Sequence, residues 1–324
     1  MCTATTYATK DHYFGRNLDY EYSFHEEITI TPRNFPVSFR HKPPMEHHYS
    51  MIGMAYVVDD HPLYYEATNE FGLSIAGLNF PGNASYKPGN PELDNITPFE
   101  FIPWILGQCR DIEEAKTLIS RMNMLNENFS EDLPLQSLHW LISDLNGSVV
   151  VESVSEGIKV YDNPTGTMTN NPTFDHQLYR LNDYRNITAG VRDSSFAPDF
   201  PLEQYSRGMG SMGLPGDLSS ASRFVKAVFT RMNSVSGDSE MESVSQFFHI
   251  LASVEQQRGC CALAENTYEI TIYSSCCNME KGIYYYRTYD NSCISAVDMR
   301  KEDLDSKELI RYPMLIQPFI NYQN

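Results

Sequence analysis

Cys2 stands one residue from the start of the chain, in Met1-Cys2-Thr3-Ala4. Trimming of the initiator methionine, usual before a small side chain, would leave a thiol and a free α-amine on one residue. Such a residue carries a nucleophile together with its own base. A thiol has a reference pKa of about 8.5 and an α-amine about 7.7–8.0, so moving a proton between them costs little near neutral pH. A small second residue also heads many ordinary N-terminal strands by chance, so the chemistry requires partners.

The partners follow at once. Residues 2–8 are rich in β-formers, Thr9-Lys10-Asp11 has turn composition, and residues 12–20 read as a second strand. In an antiparallel hairpin, paired residue numbers add to a constant. A turn centred near Lys10 therefore sets Cys2 opposite about Leu18 and brings Arg16 and Asp19 beside it. An arginine near a thiol raises its thiolate fraction. A carboxylate near an α-amine can hold and orient it. Three positions separate Arg16 from Asp19, so on a flat strand they face opposite sides. Either the strand ends near Leu18 or it is bulged, with Gly15 a candidate for the irregularity. Without Cys2, both would read as surface charges at a strand end.

The chain that must position these residues has 324 residues, 41% of them hydrophobic, with 21 Tyr and 17 Phe. That supports a substantial core and excludes a disordered chain. No linker, low-complexity segment or repeat divides it, so one domain over 1–324 is expected. The net charge of −18 disfavours a nucleic-acid partner. The seven cysteines are odd in number, include two adjacent pairs and form no Cys-x-x-Cys. With a polar N-terminus, they point to a reducing, cytoplasmic compartment and buried free thiols rather than disulfides or zinc. No stretch is long and apolar enough for a membrane-spanning helix.

Strands are expected at 27–31, 50–58 and 73–80, and at 138–144 and 148–153 around the Asn146-Gly147 turn. Ile112, Ala115, Leu118, Ile119 and Met122 have helical spacing. So do Leu218, Ala221, Val225, Val228 and Met232, with Asp217 as N-cap, and Met241, Val244, Phe248, Leu251 and Val254. Tyr268, Ile270 and Ile272 alternate as a strand, and 283–289 and 294–297 form a hairpin around Asp290-Asn291. Strictly alternating βαβ units are missing. This favours an α+β fold with antiparallel sheets, two of them stacked with helices outside.

Several motifs dissolve on inspection. Gly208-Met-Gly-Ser-Met-Gly213 fits a dinucleotide pattern, but no strand precedes it and Leu214-Pro215-Gly216 prevents it from opening a helix. There is no G-x-S-x-G elbow. His139 reads as a core histidine, His47-His48 lacks a ligand set, and Cys109 is a weak internal nucleophile. Asn79 and Asn170 end apolar strands, where amides usually form turns but can also point donors at an oxyanion. Arg223 falls on the polar side of its helix, where a solvated arginine is the default.

Five ordered blocks change the weight of these residues. Met1-Cys2-Thr3, Phe14-Gly-Arg-Asn-Leu-Asp19, Ala76-Gly-Leu-Asn-Phe-Pro81, Thr169-Asn-Asn-Pro-Thr-Phe174 and Leu214-Pro-Gly-Asp-Leu-Ser-Ser-Ala-Ser-Arg223 resemble the choloylglycine hydrolase family. Similarity extends through Glu280-Lys-Gly-Ile-Tyr-Tyr-Tyr286. The resemblance implies a four-layer αββα N-terminal nucleophile hydrolase sandwich and hydrolysis of glycine- and taurine-conjugated bile salts. By resemblance the catalytic positions fall on Cys2, Arg16, Asp19, Asn79, Asn170 and Arg223. The lining of an apolar substrate trough falls on Leu18, Phe24, Val58, Phe129, Leu133 and Leu138. Arg207, on its glycine-rich loop, is a candidate for the anionic end of the conjugate. Penicillin V acylases of the same fold typically carry tyrosine at the position of Asn79, which tilts the reading to bile salts. A non-catalytic binder of amphipathic anions is the alternative of another class. No metal or organic cofactor is implied, and family resemblance suggests a homotetramer.

Overall fold

Two large antiparallel sheets dominate the computed structural model, which describes residues 1–324. The first runs in the order Thr167–Met168 (β12), Cys2–Ala8 (β1), His12–Tyr20 (β2), Ile270–Asn278 (β15), Ile283–Thr288 (β16) and Ser295–Asp298 (β17). The second runs Gly157–Asp162 (β11), Ser148–Val154 (β10), Leu138–Ser143 (β9), Ser74–Asn79 (β6), His61–Asn69 (β5), Met51–Val58 (β4), Glu27–Thr31 (β3) and Ile310–Pro313 (β18). Two short pairs complete the strands: Asp94–Ile96 (β7) with Met122–Met124 (β8), and Ala262–Ala264 (β13) with Thr267–Tyr268 (β14).

The alternation of side chains decides what lies between the layers. Ala4, Phe14 and Leu18 of the first sheet meet Ile28, Ile52, Met54, Leu78 and Leu141 of the second in one buried core. The other face of the eight-stranded sheet packs through Ile75, Trp140 and Ile142 on Phe101–Leu106 (α1) and Ile112–Ile119 (α2). On the far side, Tyr7, Tyr13 and Cys276 of the six-stranded sheet receive Val244, Phe247 and Leu251 of Glu240–Ala252 (α5). Phe174–Arg180 (α3) and Ser220–Asn233 (α4) complete the α-helices. The layers are helix, sheet, sheet, helix, as the resemblance implied. No helix is long and apolar enough to cross a membrane.

The hairpin has the expected register, with Cys2 opposite Leu18 and Ala4 opposite Arg16. Its irregularity is not at Gly15. It lies on the neighbouring strand, where Thr271 pairs with Asp19 and Tyr273 with Leu18, leaving Ile272 as the extra residue of a bulge. Gly15 serves close approach instead, since a Cβ there would lie 2.0 Å from the Ser275 carbonyl oxygen.

Other elements differ from the sequence reading. The helix around Ile112 stops at Ile119, and Met122 begins β8. Ser219, not Asp217, is the N-cap of α4; Asp217 accepts from Ser219 N (3.0 Å) and Ser222 Oγ (2.7 Å), forming a turn ahead of the helix. α5 has a capping box of Ser239 and Glu242, a signal available in the sequence but not used. Strand β15 is longer than Tyr268–Ile272 suggested, because all nine of its residues are buried and its polar members are paired inside.

Candidate active site

The sulfur side of Cys2 is set by β2. Arg16 shares a strand face with Phe14 and Leu18, so its guanidinium enters the gap between the sheets, where the residue is 1% exposed. Its Nη1 donates to the carbonyls of Gly77 (2.6 Å) and Tyr65 (3.0 Å), and its Nε lies 3.9 Å from Glu66 Oε2. Burial alone would pull this guanidinium down, but the negative charges available on Cys2, Tyr273 and Glu66 outweigh it and leave Arg16 above the ordinary arginine value. A fixed cation therefore stands beside the thiol.

The nitrogen side is set by the opposite face of β2 and by two distant segments. Asp19 lies in the interior, its Oδ1 accepting from Thr271 Oγ1 (2.6 Å) and its Oδ2 from Gln256 Nε2 (3.3 Å). Burial pushes this carboxyl up, against the pull of Arg223, the Met1 ammonium, the Thr271 hydroxyl and Arg16. Arg223 is not the solvated arginine that helical periodicity suggested. It is 1% exposed and turned inward from α4. Its Nη1 donates to Cys2 O and Thr3 Oγ1 (both 2.6 Å), its Nη2 to Asn170 Oδ1 (2.7 Å) and its Nε to Leu218 O (2.9 Å). Burial lowers the Arg223 pKa, countered by Asp19 and Cys2.

Asn170 is thereby oriented. Its Oδ1 accepts from both Cys2 N (2.9 Å) and Arg223, so Nδ2 must face the other way, where it donates to Asn79 O (2.7 Å). Asn79 ends β6 as expected, opposite Leu138. All six polar residues are thus joined to one cluster around Cys2. The direct partner of the Cys2 nitrogen is Asn170, whereas Asp19 reaches the N-terminus through its backbone: Met1 N donates to Asp19 O (3.0 Å) and Asp19 N to Met1 O (3.0 Å). Glu269 forms an ion pair with the Met1 ammonium. With Met1 attached, Cys2 is 5% exposed and its nitrogen is an amide.

The apolar candidates separate into groups. Leu18 is the ladder partner of Cys2, and Leu138 that of Asn79. Phe24 packs in an aromatic group with Tyr20, Tyr22 and Tyr56. Val58 pairs with His61 across the tight turn at Asp59-Asp60, and the His61 ring lies 5.3 Å from that of Phe129. Phe129 and Leu133 lie on a loop, as read from the polar residues around them. Arg207 is exposed on a turn leading into the short helix Met209–Ser211.

The remaining motifs have structural employment. His139 is buried, with Nε2 on Thr169 O, Nδ1 on Glu152 and its ring stacked on Phe80. His48 engages the carbonyls of Tyr49 and Phe35. Cys109 follows α1 in a loop, and burial pushes its thiol up to about 12, as it does that of Cys277. Cys260 and Cys293 are exposed, contrary to the reading of uniformly buried thiols, because both lie in surface turns. Iodoacetamide near neutral pH should therefore label Cys260 and Cys293 and spare Cys109 and Cys277. Peptide mass mapping checks this, and labelling of Cys109 at the rate of Cys260 would contradict it.

The residues missed from sequence are Thr3, Thr271, Gln256, Glu66 and Glu269. None left a legible trace: even Glu66 lies on a strand whose alternation is blurred by Pro62, Tyr64 and Tyr65.

Two stacked antiparallel sheets between helices, with a cysteine at the head of a central strand, define the N-terminal nucleophile hydrolase class. A family model for linear amide C–N hydrolases, the choloylglycine hydrolase family, matches residues 2–312, and the chain belongs to this family. It is 57% identical to a bile salt hydrolase/transferase of Lactiplantibacillus plantarum over 97% of both chains. Among solved structures, the C2A mutant conjugated bile acid hydrolase of Clostridium perfringens superposes with a TM-score of 0.92, 39% identity and full coverage of both chains. A penicillin V acylase of Agrobacterium tumefaciens shares the fold, with a TM-score of 0.75 at 19% identity, over 96% of this chain and 90% of its own. The protein is an enzyme, a hydrolase of linear amides.

Proposed function

We propose that the protein hydrolyses the amide joining a bile acid to glycine or taurine, with Cys2 as nucleophile once Met1 is removed. The observation that carries this reading is the convergence on one residue of Arg16 at the Cys2 sulfur, Asn170 at its nitrogen and Arg223 at its carbonyl. A free Cys2 amine in the place of the present amide would donate one N–H to Asn170 Oδ1 and keep its lone pair for the thiol proton. The thiolate attacks the amide carbonyl. The oxygen that becomes negative is met by an Nδ2–H of Asn170 and a backbone N–H near Asn79, donors of a kind worth about 3–4 kcal/mol each. The amine returns its proton to the leaving nitrogen, the amino acid departs, and a thioester remains. Water, deprotonated by the same amine, releases the bile acid and regenerates the thiol. Asp19, held by Thr271 and Gln256, supplies negative charge on the amine side, and Arg16 holds the thiolate.

In this reading the steroid lies along Leu18, Leu138, Val58, Phe129, Leu133 and Phe24, and Arg207 meets the anionic end of the conjugate. Side-by-side assays of taurocholate, glycocholate and phenoxymethylpenicillin test both parts. The expected result is release of taurine or glycine at a kcat/KM well above that for the penicillin, and preference for the penicillin would reverse the assignment. The same assays on Arg207→Ala should change the taurine-to-glycine ratio; an unchanged ratio removes Arg207 from the site.

A further inference from the structure

The cation that faces the Cys2 sulfur has a second suitor. Glu66, in the middle of β5, is 2% exposed and lies wholly between the sheets. Its Oε1 accepts from Tyr284 Oη (2.5 Å) and Ser275 Oγ (2.9 Å), and its Oε2 from Tyr273 Oη (2.8 Å). The Ser275 hydroxyl also accepts from Arg16 N (3.2 Å), which leaves its proton for Glu66. Three O–H donors and a guanidinium 3.9 Å away favour the ionised carboxylate, in opposition to the burial that pushes it up. Arg16 thus lies between two acidic groups, the Glu66 carboxyl 3.9 Å from its Nε and the Cys2 thiol.

We propose that Glu66 is a positioning residue for the nucleophile, sharing the Arg16 guanidinium with Cys2 and so setting how strongly that cation favours the thiolate. This rests on the reading of Cys2 as the nucleophile. A guanidinium between two sheets needs a counter-anion, because an uncompensated buried charge is strongly unfavourable. Glu66 satisfies that need while Cys2 is a thiol. Remove the charge of Glu66, and the Cys2 thiolate becomes the counter-anion that Arg16 lacks. The Cys2 sulfur is also faced by Arg223 of α4 and Tyr20 of β2, with Asp19, Glu269 and Cys261 gathered near Arg223 and the Met1 amine. Glu66 is faced by Arg16, Tyr65, Tyr273, Tyr284 and Cys277. Glu66→Gln changes no other titratable side chain, so a shift that Glu66→Asp reverses reports on the carboxylate charge.

The test is the pH dependence of iodoacetamide alkylation at Cys2, followed by peptide mass spectrometry on the mature protein, beside the pH profile of kcat/KM. In Glu66→Gln the alkylation midpoint should fall by about one pH unit. The acid limb of kcat/KM should move the same way. The less basic sulfur should lower the limiting kcat about three-fold with KM little changed. Glu66→Asp, which keeps the charge, should restore the parent midpoint. A midpoint unchanged or raised in Glu66→Gln, with activity lost only in proportion to unfolded protein, would overturn the proposal. Should Glu66→Gln not fold, Tyr284→Phe withdraws one donor that holds Glu66 ionised. It should shift the midpoint in the same sense by less, and an unmoved midpoint there is equally fatal. Alkylation reads Cys2 whether or not bile salts are turned over, so failure of the substrate assignment and failure of this proposal are separately visible.

Discussion

Alanine at Cys2 should lower kcat for release of glycine or taurine by roughly four orders of magnitude or more, as loss of a nucleophile does elsewhere, while leaving the melting temperature near that of the parent. Of the six other cysteine sulfurs, that of Cys261 is half-buried with its thiol on Glu269 Oε2 (3.8 Å), and the remaining five are poorly placed to substitute. Cys109, Cys276 and Cys277 are buried with their thiols pushed up by burial, and Cys260 and Cys293 are exposed on surface turns. The fold should tolerate the change because Cys2 contributes to the site chiefly through its backbone, whose N–H and carbonyl meet Asn170 and Arg223. Quantifying amino acid release, together with a thermal melt, decides the matter. Residual activity above a few per cent of the parent in a folded Cys2→Ala variant would require another nucleophile.

The second large effect concerns the nitrogen. A form in which Cys2 is preceded by residues that cannot be trimmed should lose activity by about a hundred- to ten-thousand-fold, the usual contribution of a general acid–base group. The Cys2 nitrogen, 2.9 Å from Asn170 Oδ1, would remain an amide with no basic lone pair. Placing a site-specific protease sequence ahead of Cys2 gives the control, since cutting should restore turnover on the same molecules. Full activity before cutting would show that the α-amine is not the base.

What the sequence disclosed follows the range of the forces involved. The Cys2–Leu18 register came directly from chain arithmetic, because a short turn leaves few alternatives. That placed Arg16 correctly, and it placed Asp19 on the opposite face, where it lies. The six-stranded order could not be read in this way. Strand β2 takes β15 as its second neighbour, 250 or more residues away, and the bulge at Ile272 that adjusts the pairing beside Asp19 has no local signature. Arg223 shows the same limit more sharply. Periodicity assigned it to a polar face, which was correct as a statement about the helix. Its polar face meets Cys2, Thr3 and Asn170 instead of water, and only the ordered family blocks pointed to that. Asp217 was read as a cap because Asp before a helix usually is one, but the side chain bonds within a turn two residues earlier. Strand β5 was missed although it carries Glu66, since Pro62 and two adjacent tyrosines blur its alternation.

The link from Arg223 to the Cys2 carbonyl spans 221 residues of chain. On a ribosome adding about 5–20 residues per second, the helix that supplies this arginine emerges roughly 10–45 s after the first strand. The first hairpin alone is only marginally stable during that interval. An aminopeptidase therefore has tens of seconds of open access to the Met1–Cys2 bond before Asp19, Asn170 and Arg223 enclose it. The length of chain between the nucleophile and its latch thus sets the interval in which Met1 can be trimmed from an open N-terminus.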